Sequence, residues 1–235
     1  MKITSRFRDP QQDATDLPRA FGRLGDIAKA IHEATPQFST WYLTGNSKKE
    51  ALLYPAFEDW HATTAALAVL RTEFEGAEQR AQMISLWDGG DDEQAGAKLT
   101  FLIAPKTRPK KIEADFNDER ALSIDQALDV VRAMVATTAP AYITVEPHGY
   151  AERQVFDDKP GVGWMLYLPI KITQRQLPEA RALVPVVVDD QTAGTVIVSV
   201  ADDVFSIDNP EHVEIANRIE IRLADQDLLP TYTSV

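Results

Sequence analysis

The densest set of groups able to do chemistry lies near the C-terminal end, where Glu211 and Glu214 stand one helical turn apart, Glu214 and Arg218 are spaced i,i+4, and Arg222 follows on the same side. Paired carboxylates at that spacing can hold a divalent metal or exchange protons as general acid and base. The plainer reading is a solvated helix face carrying i,i+4 ion pairs. His212-Val213-Glu214 has the H-x-E order of zinc deaminases, but those enzymes need a cysteine pair and the chain has no cysteine. A histidine on a helix surface accounts for it. Asp115, Asn117 and Glu119 alternate like the start of a calcium loop, yet Arg120 stands at the position where that loop needs glycine. Gly161-Val162-Gly163 opens a G-x-G pattern, but it precedes an expected strand instead of joining strand to helix, so it reads as a backbone bend or bulge. The sequence contains no phosphate-binding G-x-x-x-x-G-K-[ST], no G-x-S-x-G and no H-E-x-x-H, and His32, His61, His148 and His212 are scattered. Trp41, Trp60, Trp87 and Trp164 could stack a ligand, although three lie in or beside expected strands and read as core. These residues assign no catalytic group, no metal and no cofactor.

The elements that must position these groups follow from periodicity. Ile3, Ser5 and Phe7 alternate as a strand does, and Asp9-Pro10 ends it. Asp16 suits an N-cap, and Leu17, Phe21, Leu24, Ala28 and Ile31 then share one face of a helix that stops before Pro36. Gly22 and Gly25 weaken that helix, which implies close packing against another element. A short strand is expected at Thr40 to Thr44 and a helix at Thr63 to Glu78, with Leu67, Leu70 and Phe74 inward. Strands at Met83 to Trp87, Lys98 to Ala104 and Lys110 to Phe116 suggest a meander, its first turn made by Asp88-Gly89-Gly90-Asp91-Asp92-Glu93. A helix from Ser123 to about Thr138 precedes strands at Tyr142 to Val145, Gly163 to Leu168, Ala182 to Val188 and Thr195 to Val200. Asn209-Pro210-Glu211 opens the last helix with an N-cap, a proline at the first helical position and an acid in the first turn. Val213, Ala216, Ile219 and Leu223 form its inward stripe.

Strands in runs rather than in regular alternation with helices predict an α+β fold: a mixed, largely antiparallel sheet packed with about four helices. Residues 1–235 read as one unit, with two similar half-domains meeting near residue 120 as one arrangement compatible with the order.

Net charge is the informative composition figure: 24 Lys and Arg against 36 Asp and Glu give −12 over 235 residues. Binding to phosphate backbones or anionic lipid relies on a basic surface, so nucleic-acid and polybasic membrane partners are disfavoured. Half of the excess lies in the final 35 residues, which hold 2 bases and 8 acids. A second concentration is Asp88, Asp91, Asp92 and Glu93. Solvated faces that aid solubility are the ordinary explanation. With no signal-peptide-like apolar run near the start and no cysteine, a cytoplasmic protein is expected.

Several strings carry more than periodicity. Trp41-Tyr42-Leu43-Thr44-Gly45, Glu50-Ala51-Leu52-Leu53-Tyr54-Pro55, Gln154-Val155-Phe156-Asp157-Asp158, Gly161-Val162-Gly163-Trp164-Met165-Leu166-Tyr167-Leu168-Pro169 and Asn209-Pro210-Glu211-His212-Val213-Glu214-Ile215-Ala216-Asn217 resemble the bacterial immunity 52 family, as does the ending Asp225-Gln226-Asp227-Leu228-Leu229-Pro230. The resemblance runs from Arg6 to Pro230. It implies an antitoxin-like role: such proteins are encoded beside polymorphic toxins, and this family is similar to those paired with restriction-endonuclease-like nucleases delivered by type VI secretion. It carries over no catalytic residue.

A nuclease must present basic residues to phosphate, so the expected partner is a cognate nuclease toxin that an acidic protein would occlude or distort. Candidate contacts are Asp88, Asp91, Asp92 and Glu93, the pair Asp157 and Asp158, and Asp202 and Asp203 with the exposed face of the last helix. Aromatic anchors usually supply most interface energy, and Tyr150, Phe156 and Phe205 are the residues whose exposure matters. A non-catalytic adaptor or chaperone for a secreted effector, and a metal-dependent hydrolase using Glu211 or Glu214, are the alternatives.

Overall fold

The computed structural model describes residues 1–45, 47–76, 80–90 and 94–234. Strand β1 (Lys2–Phe7) buries Ile3, Ser5 and Phe7 on one face, as their alternation requires. Helix α1 (Leu17–Ala34) is capped by Asp16, whose carboxylate accepts the Arg19 N–H at 3.3 Å, and it buries Leu17, Phe21, Leu24, Ala28 and Ile31. After β2 (Tyr42–Leu43), a single-turn helix α2 (Lys48–Ala51) and a small hairpin of β3 (Phe57–Glu58) and β4 (His61–Ala62) fill a stretch where periodicity gave no element. Helix α3 (Thr64–Glu73) has Thr63 as its N-cap and buries Leu70, with Phe74 buried at its C-cap and Leu67 only half-buried. The helix stops at Glu73, short of the expected Glu78: Phe74 to Gly76 form a turn, with Gly76 at φ 71°, and Glu78 itself lies outside the described residues.

Strands β5 (Gln82–Trp87), β6 (Ala97–Ile103) and β7 (Lys110–Phe116) form the expected antiparallel meander. Helix α4 (Ile124–Thr138) starts at a reciprocal capping box: Ser123 accepts the Gln126 N–H while the Gln126 side chain accepts the Ser123 N–H. Strands β8 (Tyr142–Glu146), β9 (Met165–Leu168), β10 (Ala182–Val188) and β11 (Gln191–Val198) follow, then α5 (Pro210–Asp225) with Asn209 accepting the Glu211 N–H at 3.0 Å. The fold is α+β: the described residues form five α-helices and one nine-stranded sheet of order β10-β11-β9-β8-β1-β7-β6-β5-β2, with a separate two-stranded sheet, β3-β4.

The N-terminal strand is central because it pairs on both sides, with β7 and with β8, so Ser5 lies opposite Ile112 on one edge and Ile143 on the other. One sheet therefore crosses residue 120. Helices α1 and α4 pack together and α4 meets β1, where the hydroxyls of Ser5 and Thr138 hydrogen-bond at 3.0 Å beneath the helix. Gly25 is needed for this layer, since a Cβ there would collide with the Trp60 carbonyl at the tip of the β3-β4 hairpin. Gly22 does not share that role. A Cβ at Gly22 would meet nothing within 4 Å, so the close packing expected for both glycines belongs to Gly25 alone.

Both two-residue hairpin turns use non-glycine residues at positive φ, Asp59 and Trp60 at 47° and 64°, and Asp189 and Asp190 at 50° and 60°. That is the φ pattern of the type I′ turns that suit strand twist. The Asp-Asp turn lets β11 begin at Gln191, earlier than the expected Thr195. Among the described residues no helix is long and apolar enough to cross a membrane.

Candidate functional site

Period-two alternation aims Lys2, Thr4 and Arg6 of β1 away from the helices, together with Lys111 and Glu113 of β7 and Tyr142, Thr144 and Glu146 of β8. Most of these side chains line a groove of ≈ 270 Å³ on the sheet's other face, walled by the 151–161 segment and by Tyr232. Lys111 pairs with Glu113 at 3.0 Å, and Thr4 donates to the same carboxylate oxygen at 3.2 Å. Tyr142 stacks at 6.5 Å from Tyr232, and burial pushes its hydroxyl up to about 12 despite the neighbouring Arg6. Glu146 has neither a hydrogen bond nor an ion pair among the described residues. Desolvation raises its carboxyl to about 7; Lys2 opposes that rise, while Glu113 and Glu220 add to it.

The groove's wall is held from below by a second glutamate. Glu220 of α5 is 1 % exposed and accepts hydrogen bonds from the Tyr150 hydroxyl at 2.6 Å and from the Val155 and Val162 N–H groups at 2.7 and 2.9 Å. Tyr150 is held far above the usual phenol range by burial and then by this carboxylate, so it keeps its proton and donates it to Glu220. Its ring meets Phe205 edge-on at 5.5 Å. Just beyond, Gly163 has φ +52° and lies against Glu146, where a Cβ would come within 3.0 Å of the Val145 carbonyl. This is the bend expected of Gly161-Val162-Gly163, and it delays β9 to Met165. On the opposite side of the 151–161 segment, α5 presents a cleft of ≈ 690 Å³ lined by Arg153, Ile207, Val213, Asn217, Arg218 and Ile221. Ile221 of the cleft and Val155 of the segment beside it are 44 % and 39 % exposed, so apolar surface is accessible here.

The acidic positions singled out in the sequence do not converge. Asp88 follows β5, half-buried, with its carboxylate accepting the Gly90 N–H at 3.4 Å. Asp91, Asp92 and Glu93 lie outside the described residues. Asp202 and Asp203 are exposed in the connection from β11 to α5; Asp203 accepts the Val204 N–H and comes within 3.9 Å of Arg120. The strand pairings put the ends of β5 and β11 at the same end of the sheet, six strand spacings apart, or roughly 29 Å. Asp157 and Asp158 are exposed in the wall segment, where the Asp158 carbonyl accepts the Tyr232 N–H at 2.9 Å.

The other singled-out groups are engaged locally. Glu214 and Arg218 form the i,i+4 pair, Arg222 instead reaches Glu179 at 2.7 Å, and the His212 ring accepts the Ser206 N–H at 3.1 Å. Asp115 and Glu119 both bond His148. Among the described residues no group of three or more His, Cys, Asp or Glu is arranged to hold a metal ion. Trp41 and Trp164 are buried, Trp60 and Trp87 half-buried; Tyr150 and Phe205 are buried, and only Phe156 of the possible anchors is partly accessible.

Sequence reasoning missed Glu146 and Glu220. Glu220 had a signal: it falls one residue after Ile219 and four after Ala216, inside the inward stripe of α5, where a charge demands partners. Glu146 had none, because its isolation depends on what lies across the sheet.

Comparison with known proteins adds three findings. The sequence model of the family described as Immunity protein 52 matches residues 17–232. Among solved structures, the Pseudomonas aeruginosa T6SS protein PA0821 is similar in fold, with a TM-score of 0.52 at 9% identity over 94% of this chain and 75% of that one. No curated protein matches the sequence.

Proposed function

Since the chain belongs to the immunity protein 52 family, we propose that it binds a cognate toxin and neutralises it, and that this toxin is a nuclease delivered by a type VI secretion system. The family match over residues 17–232 carries the reading. The nuclease assignment is supported by charge: at net −12 the chain complements a protein that must itself attract phosphate. Neutralisation needs only that the bound chain occlude the nuclease cleft or hold it in a distorted form.

The surface offers what such a contact uses. The α5 cleft offers apolar surface at Val213 and Ile221 beside charged Asp208, Glu214, Arg153 and Arg218, and Asp202 and Asp203 lie in the connection leading into the same helix. Apolar groups excluding water at the middle and charges at the rim make the usual anatomy of a specific interface. Asp157 and Asp158, exposed on the wall segment, add further acids, and Asp88, Asp91, Asp92 and Glu93 remain candidate contacts by sequence in this proposal.

The test is co-expression with the toxin encoded beside the gene, followed by purification of the complex. Cells are expected to survive only with this chain present; equal killing with and without it overturns the reading, and capture with undiminished toxin activity marks an adaptor instead. Reversing Asp202 and Asp203 to lysine is expected to slow association about tenfold at low salt, with the difference shrinking as salt screens it. Stopped-flow rates unchanged at every salt concentration would confine those acids to solubility.

A further inference from the structure

The sheet-face groove contains one carboxylate, that of Glu146, that makes no hydrogen bond or ion pair among the described residues. Lys111 and Glu113 neutralise each other, and Arg6 sits beside Tyr142. Lys2 stands opposite Glu146 and favours its charge without forming an ion pair, and Arg6, four positions along β1 from Lys2, is about 13 Å farther on. Glu146 is left on the floor, partly withdrawn from water and unpartnered among the described residues. Native structures rarely keep such a group without a use for it.

We propose that a lysine or arginine side chain of the protein partner enters this groove and pairs with Glu146. The proposal rests on the toxin-binding reading and adds to it a specific contact. The groove's ≈ 270 Å³ corresponds to about nine waters at ~30 Å³ each, enough for one long basic side chain with several waters retained. Its polarity suits a charged head held by hydrogen bonds more than an apolar anchor, since Thr4, Thr144 and Gln154 line it with the ionic groups. A partner rich in exposed basic residues is what a phosphate-binding enzyme supplies. The site also adjoins the α5 cleft, because the 151–161 segment has Gln154 on the groove side and Arg153 on the cleft side. One partner can therefore cover both.

Pairing of this kind requires the ionised carboxylate. The charged and titratable groups facing Glu146 are Lys2 from β1, Glu113 from β7, Tyr142 from β8, Glu220 from α5, and Tyr150 and Tyr232 from the covering segments. Burial is the main force against its ionisation, Lys2 opposes that and the two acids add to it, so it titrates near neutrality and a basic side chain gains a partner only as the pH rises.

Calorimetric titration of the full chain with a catalytically inactivated form of the toxin encoded beside it provides the test. Between about pH 6 and about pH 8 the wild type is expected to bind about tenfold more tightly as Glu146 ionises. Glu146→Gln, which keeps the shape, is expected to weaken binding at the higher pH by about tenfold or more and to lose most of that pH dependence. Its melting curve, recorded beside the wild type, shows that the fold is retained. If the glutamine variant binds as the wild type does at both pH values, the contact does not exist, while toxin binding itself stands. If the wild type forms no complex, the toxin-binding reading fails and this contact fails with it.

Discussion

Glu220→Ala is expected to lower the stability of the fold by about 3–5 kcal/mol, the range for removing one partner from a buried charged network. The carboxylate is the common acceptor for the Tyr150 hydroxyl and for the Val155 and Val162 N–H groups. Truncation strands all three, at about 1–3 kcal/mol for each that stays dry. Val155 can recruit water because its side chain is exposed, whereas Tyr150 and Val162 are buried, so the loss falls below the simple sum. Glu220→Gln tests the charge separately. One end of the amide becomes a donor facing another donor, and a loss of about 1–3 kcal/mol is expected. In a domain of this length about 1 kcal/mol corresponds to roughly 2–4 °C in Tm, so Glu220→Ala is expected to melt at least about 6 °C below the wild type. Because the bonds anchor the 151–161 wall, limited proteolysis should cut that segment first in the variant. A melting temperature within about 2 °C of the wild type would mean that the network contributes little.

That network shows where the sequence was legible and where it was not. Caps and stripes were readable because each is local: Asp16, Ser123 and Asn209 satisfy helix N–H groups two or three residues away, and one-sided spacing alone identifies the buried faces of α1 and α4. The α+β architecture was readable for the same reason, since runs of strands exclude a regular βαβ winding. Registry was not. Nothing local says that β1 enters the middle of the sheet between β7 and β8, yet that placement puts Glu113, Lys2 and Glu146 on one face and creates the groove. Glu220 was visible in principle as a charge inside an apolar stripe, but its three donors come from residues 58 to 70 positions away. Of the acidic residues conspicuous in the sequence, Asp157, Asp158, Asp202 and Asp203 are left exposed by the fold. The acids with structural consequence are single glutamates inside apolar strings.

The second glutamate should behave in the opposite way: Glu146→Gln is expected to stabilise the protein above neutral pH. Glu220 has three donors, whereas Glu146 has no partner among the described residues. Its folded-state value of about 7 stands above the ordinary 4.5, so between those values the native state holds a proton that the unfolded chain has released. Stability therefore falls as pH rises through that window, with the favourable contribution fully present below the lower value and lost above the upper one. A shift of that size corresponds to about 3 kcal/mol at most, and residual exposure to the groove reduces it to roughly 2. Glutamine cannot ionise. The variant is thus expected to match the wild type near about pH 4 and to exceed it by about 2 kcal/mol near about pH 8, measured by denaturant unfolding at each pH. Asp9 and Glu119 oppose this trend at lower pH: against the effect of burial, Arg23 holds the first carboxyl, and the Met1 ammonium and then His148 hold the second, below the usual range, so their contributions fade in acid for both proteins alike. A difference between variant and wild type that is the same at both pH values would show that Glu146 does not titrate in this window. A difference that grows with pH would show that the groove holds a destabilising charge.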